Sequence, residues 1–128
     1  MEQQRTGRVI KFRAWDGHEL TNDAAYLRPD GDAELAAFEE GREVIWLQFT
    51  GLTDKNGKEI YEGDIVKVPD DWDRYGHMAG EAREIIFSFG SFRLKPKWSH
   101  SDKGHTFDDA HEEIEVIGNI YENPELLK

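Results

Sequence analysis

The chain has 128 residues, with 27 acidic against 16 basic side chains, a formal net charge of −11 and no cysteine. That balance disfavours non-specific binding to phosphate backbones or anionic membranes, and the missing thiols exclude disulfides and thiolate metal centres. Hydrophobic residues make up only 38% but aromatics 12%, enough ring area to build the core of one highly charged domain spanning residues 1–128.

Residues 1–8 are polar and carry no apolar stretch of the signal-peptide kind, and the longest apolar run, Val44 to Leu47, is far too short to span a bilayer. Together with the absence of cysteine this fits a reducing cytosol. Over residues 8–15, Val9, Lys11 and Arg13 alternate with Ile10, Phe12 and Ala14, the period of a half-buried strand. Asp16-Gly17 supplies a turn and residues 18–20 a return strand. Residues 24–27 form a weaker strand. One short helix is expected between Asp32 as its cap and Gly41 as its stop, with Leu35, Ala36 and Phe38 on one face. Residues 43–49, β-branched and aromatic, read as a central strand.

Asn56-Gly57 is a strong hairpin signal, because both residues tolerate positive φ. Glu62-Gly63-Asp64 breaks the chain again before a short strand over residues 65–68. Residues 69–83, with Asp70, Asp71 and Asp73 around Trp72 and Tyr75, read as a long loop. Ile85, Phe87 and Phe89 then lead into a Gly90-Ser91 turn, with Phe92 and Leu94 leading out. This hairpin is expected to place five apolar side chains in the core. Residues 99–113 read as a second long loop. Residues 114–122 return to strand with a bulge at Gly118, and Asn123 caps a last helical turn begun by Pro124. The sum is a mostly-β fold: a small, partly open barrel or strongly curved antiparallel sheet, SH3-like in part, with one short helix and a C-terminal helical turn.

Three stretches resemble the YopX family of phage and prophage proteins. They are Ile10-Lys11-Phe12-Arg13-Ala14-Trp15-Asp16, the run from Leu47 to Val66, and the closing run from Glu115 to Leu127. The matching positions include Trp15, Gly51, Asp54, Asn56, Gly57, Tyr61, Gly63, Asp64, Gly118, Asn119, Tyr121, Asn123 and Pro124. The resemblance implies a mostly-β fold and a phage or prophage origin, and it carries over no catalytic residue and no cofactor. The residues themselves account for much of the signature: glycines for turns, Asn123-Pro124 for a helix start, and Phe49, Ile60, Ile65 and Ile117 for the core.

Three sets of residues invite a chemical reading. His100, His105 and His111 with Asp108 could hold a divalent ion, giving a metal-dependent hydrolase, but their spacing matches no zinc signature and a solvated polar loop explains them better. Arg93, Lys95 and Lys97 would share one strand face, a basic stripe able to track phosphates in a nucleic-acid-binding barrel. Their aromatic neighbours would then face inward, away from bases they would need to stack on, so a lysine-protected sheet edge is the plainer reading. Glu62 and Asp64 could project together from a bend as an acid/base pair, against the simpler role of a turn whose Asp64 binds nearby amides. Asp54-Lys55-Asn56-Gly57 lacks the later acidic ligands of a calcium loop. With no nucleophile elbow, P-loop or dinucleotide motif present, the expectation is a non-enzymatic binding or accessory module, acting through a protein partner or self-association.

Overall fold

The computed structural model describes residues 11–17, 19–21, 44–70, 80–96 and 104–127. The strand expected over residues 24–27 and the helix expected over residues 32–41 lie outside them. Among the described residues, eight strands form two four-stranded antiparallel sheets. β1 (Phe12–Trp15), β2 (Leu20–Thr21), β3 (Ile45–Thr53) and β4 (Glu59–Tyr61) make the first, in the order β2-β1-β3-β4. β5 (Asp64–Lys67), β6 (Ala82–Ser88), β7 (Ser91–Leu94) and β8 (Glu115–Asn119) make the second, in the order β7-β6-β5-β8. The mostly-β expectation holds, as two open antiparallel sheets.

The core lies between β4 and the second sheet. Ile60, Val66, Val68, Ile85, Leu94, Phe107, Ala110, Ile114 and Val116 form one buried cluster, with Leu52 and Phe92 packed on it. Each fully buried aliphatic or aromatic side chain there contributes about 1.5–3 kcal/mol. Phe107 and Ala110 come from the segment expected to be a polar loop. Between 104 and 113 that segment is anchored instead, by a bridge between Leu94 and His105 and a 3₁₀ turn at His111–Glu113. Residues 82 and 83, assigned above to a loop, already belong to β6, and the pairing extends back through a hydrogen bond from Val68 N–H to the Glu81 carbonyl.

Two turns differ from expectation. Across β6 and β7, Ser88 faces Ser91, so the central residues are Phe89 and Gly90. Both have positive φ, 50° and 79°, as a type I′ turn requires. The turn falls one residue earlier than Gly90-Ser91. Ile85 and Leu94 are fully buried as expected, but Phe87 is 53% and Phe89 69% exposed. At the β3–β4 connection only Gly57 takes positive φ; the loop is closed by Asp54 N–H donating to the Lys58 carbonyl and Gly57 N–H to the Asp54 carbonyl.

Each sheet contains a bulge. Phe49 pairs with Tyr61 and Thr53 with Glu59, so three residues of β3 oppose Ile60 alone. Gly51, at φ +90°, makes this bend possible, and the Thr50 hydroxyl replaces the missing rung, donating to the Ile60 carbonyl at 2.8 Å and accepting from Leu52 N–H. In β8, Gly118 faces Ile65 and Val116 faces Val66, so Ile117 is the extra residue. It is therefore turned out to solvent, not into the core as read from the sequence. Pro124–Leu127 form a 3₁₀ turn. Asn123 does not cap it by side chain: its Oδ1 accepts from Asn119 N–H at 3.2 Å, and its carbonyl accepts from Leu126 N–H.

Candidate functional site

Five signature residues, Trp15, Tyr61, Gly63, Asp64 and Tyr121, meet where β1 crosses the β4–β5 turn. Successive β1 side chains alternate faces, so Lys11, Arg13 and Trp15 project together. Arg13 forms an ion pair with Asp64 and lies over the Tyr61 ring, 4.4 Å from its centre. Lys11 pairs with Glu59 and lies over Phe49, while Trp15 stacks on Tyr121 with centroids 5.4 Å apart. Gly63, at φ +88°, sits against the Tyr121 ring and Leu47, where any Cβ would be in contact. Asp64 is buried, its Oδ1 held by Arg13 and its Oδ2 by Tyr61 N–H at 2.8 Å. Burial pushes its carboxyl up, against the pull of the Arg13 charge. Burial, then Glu84 and Glu62, likewise push the Tyr121 phenol up. Both Asp64 oxygens are engaged, so this carboxylate fastens two sheets together and offers no exposed face to a substrate. Glu62, its supposed acid/base companion, has its own partner, Gln48 N–H.

A second signature carboxylate fastens the opposite end. Asp54 is buried and accepts three amides: Asn56 N–H (2.8 Å) and Lys58 N–H (2.9 Å) at Oδ1, and Val116 N–H (2.8 Å) at Oδ2. Burial would raise its carboxyl, but these three bonds with the Lys58 charge hold it below the ordinary value. Asn119 closes the turn after β8, its Oδ1 accepting from Tyr121 N–H and Glu122 N–H and its Nδ2 donating to Glu122.

The basic stripe is largely committed elsewhere. Arg93 Nε donates to the Ser88 carbonyl at 3.0 Å and Nη1 reaches the Gly104 carbonyl, locking the hairpin to the returning chain. Lys95 lies 3.7 Å from Glu84. Lys97 lies outside the described residues, as does His100. His105 lies beside β7 through its backbone bridge to Leu94. His111 contacts the Thr53 carbonyl through Nδ1; a carbonyl can only accept, so Nδ1 carries the proton. Asp108 is exposed in the turn between them. Among the described residues no three histidine, aspartate or glutamate side chains converge in a way that could hold a metal ion.

What sequence reasoning missed is a cleft of about 330 Å³ between the two sheets, bordered by Gly51 and Leu52 of β3, Phe87 and Phe92 of the hairpin, and Phe107 and Asp108 of the returning chain. Phe87 meets Phe92 edge to face at 5.0 Å, and Phe89 stands beside them at the hairpin tip. The available signal was the turn itself. Placing Phe89 in it demands a positive φ from a bulky residue, the arrangement that sequence preference argues against.

The comparisons with known proteins follow the fold. The SPbeta prophage-derived uncharacterized protein YopX of Bacillus subtilis (strain 168) is 26% identical over 134 residues, covering 91% of this chain and 95% of that protein. The crystal structure of protein EF1440 from Enterococcus faecalis superposes with a TM-score of 0.62 at 29% identity, covering 95% of this chain and all of the other. The crystal structure of YopX from Bacillus subtilis shares the fold with a TM-score of 0.55 at 22% identity, over 91% and 95% of the two chains. The YopX protein family model matches residues 11–128, and the chain belongs to the YopX family.

Proposed function

We propose that this chain is a non-catalytic accessory module of phage origin that acts in the host cytoplasm by binding a protein partner through the β6–β7 tip and the cleft beside it. The prophage-derived relative supports the origin. One observation carries the binding reading: Phe89 is 69% exposed at φ +50°. Left-handed backbone costs a non-glycine residue roughly 1–2 kcal/mol, and an exposed ring gains little burial in return. Asparagine or glycine would relieve the strain; the Arg93 guanidinium lies 6.0 Å from the centre of the Phe89 ring, and a partner that covers the ring's exposed surface accounts for keeping the phenylalanine. Phe87, its half-exposed neighbour two residues away, extends the same apolar surface.

The test is affinity capture from host cells with the wild-type chain and with a Phe87→Ser, Phe89→Ser variant whose circular dichroism is unchanged. A protein captured by the wild type and lost with the variant is the expected result. Equal capture by both chains would sink the tip as the binding surface. Sedimentation of the purified chain separates a foreign partner from a second copy: a single monomeric species removes self-association.

A further inference from the structure

Resting on the binding-module reading, we infer that the cleft takes an extended peptide segment of the partner, one that carries a large apolar side chain next to a lysine or arginine. Three features of the cleft define that occupant. The first is a strand edge. β7 is the outer strand of its sheet, and among the described residues its free side is bridged at Leu94 by His105. After His105 the chain turns away through Thr106 and Phe107, and the cleft opens where the next rungs of that ladder would lie. Leu94 exchanges both backbone bonds with His105, so by the two-residue period Phe92 directs its N–H and carbonyl to the same side, at the cleft wall. An edge of this kind binds an extended chain by adding a strand.

The second feature is the apolar lining. Leu52, Phe87, Phe92 and Phe107 face the space, and about 330 Å³ accommodates one or two large side chains, not a folded element. The third is charge. Among the described residues Asp108 is the single charged residue lining the cleft, and it is exposed. The Arg93 guanidinium, on β7, is held by the Ser88 and Gly104 carbonyls. A cation on the peptide thus meets Asp108 without a competing side chain, on a protein whose net charge of −11 draws basic segments in.

The probe is a randomised twelve-residue peptide library displayed on yeast, selected against the full-length chain and against an Asp108→Lys variant. Asp108 lies in an exposed turn, so the variant keeps the fold. On the wild type, sequences with Lys or Arg within two residues of Phe, Leu, Ile or Trp should enrich about fivefold over their acidic counterparts, the scale of one partly exposed ion pair. Proline should be depleted from the same window, because it cannot complete a strand ladder. On Asp108→Lys the preference should reverse toward Asp and Glu. No enrichment at all, or a charge preference that Asp108→Lys leaves untouched, overturns the inference. If that happens while the Phe87→Ser, Phe89→Ser variant still loses its protein partner, the binding-module reading survives and only the peptide chemistry falls.

Discussion

At the scale of single residues, two buried carboxylates with opposite titration behaviour separate fastening from function. Asp54 is held below its ordinary value of 3.8 by three amide bonds. Its contribution to stability is therefore complete above that value and is lost as pH falls through the lower folded one. Asp54→Asn keeps an acceptor for Asn56 and Lys58 but turns an NH₂ toward Val116 N–H. Leaving that buried amide unpaired costs about 1–3 kcal/mol, and urea titrations should show the deficit shrinking as pH falls below about 4, the unfolded value, toward the lower folded one. Asp64 has the opposite sign. Burial raises it, so the native state binds its proton more tightly than the unfolded chain, and its contribution declines as pH rises from 3.8 through the folded value. Asp64→Asn strands Arg13, whose side chain is 12% exposed. Breaking such a buried pair costs about 3–5 kcal/mol, whereas replacing both partners by Leu and Met should recover most of the loss. Phe89 behaves unlike either. Phe89→Asn relieves a left-handed phenylalanine in a type I′ turn, so it should stabilise the fold by about 0.5–1 kcal/mol in urea denaturation while weakening partner capture. A variant that gains stability and loses binding cannot be explained by damage to the fold, and a variant less stable than wild type would remove the strain argument.

At the scale of elements, the sequence was legible where local chemistry and tertiary packing agree. The strand at β1, the central β3, the break at Gly63 and the return strand over β8 all appear, although β3 runs on to Thr53, four residues past the expected end, and β8 stops at Asn119, three residues short of it. It was misleading where a turn is set by what surrounds it. The glycine of Gly90-Ser91 invited a type II′ turn, but Ile85 lies directly opposite Leu94, both fully buried, and that register puts the turn at Phe89-Gly90. Likewise Phe107 and Ala110 stand among acids and histidines, a composition that reads as solvated, yet both are core. Only the bridge at His105 and the 3₁₀ turn that follow from tertiary contact bring them in. The bulge in β8 was foreseen at Gly118, and its cause is close packing. A Cβ there would lie 2.6 Å from Asn123 Oδ1 and 2.8 Å from Leu126 Cδ1. Gly118→Ala must therefore displace Asn123 from Asn119 N–H and push the Pro124–Leu127 turn off the sheet. Overpacking of this kind costs about 1–3 kcal/mol. The expected signature is a lower urea midpoint together with faster proteolysis after residue 119, and a midpoint equal to wild type would mean the terminal turn yields without cost.

At the scale of the whole molecule, the candidate site was the least legible part, because it belongs to neither sheet. Gly51 and Leu52 come from the first sheet, Phe87 and Phe92 from the second, and Asp108 from the chain that returns between them. No local pattern relates residues so far apart in sequence, whereas the histidines and the basic stripe were conspicuous because they lie close together along it. A cleft built this way keeps its shape only if the sheets do not move independently, and the core argues that they do not. Ile60 of the first sheet is buried in the same cluster as Val66, Ile85, Leu94 and Val116 of the second. The Arg13–Asp64 pair fastens one end of the joint, and Asp54 to Val116 the other. Separating the sheets would expose that cluster and strip Asp64 of Arg13 and Tyr61 N–H and Asp54 of Val116 N–H, a loss comparable to the whole stability of a domain this size. Unfolding should therefore be one transition. Native-state hydrogen exchange in low urea checks this directly: the amides of Leu47, Ile60, Ile85 and Leu94 should all exchange at the global free energy. If Leu47 exchanged several kcal/mol earlier than Leu94, the first sheet would be opening alone. The cleft between the sheets would then be a transient space, unable to hold the fixed edge and fixed charge that peptide recognition requires.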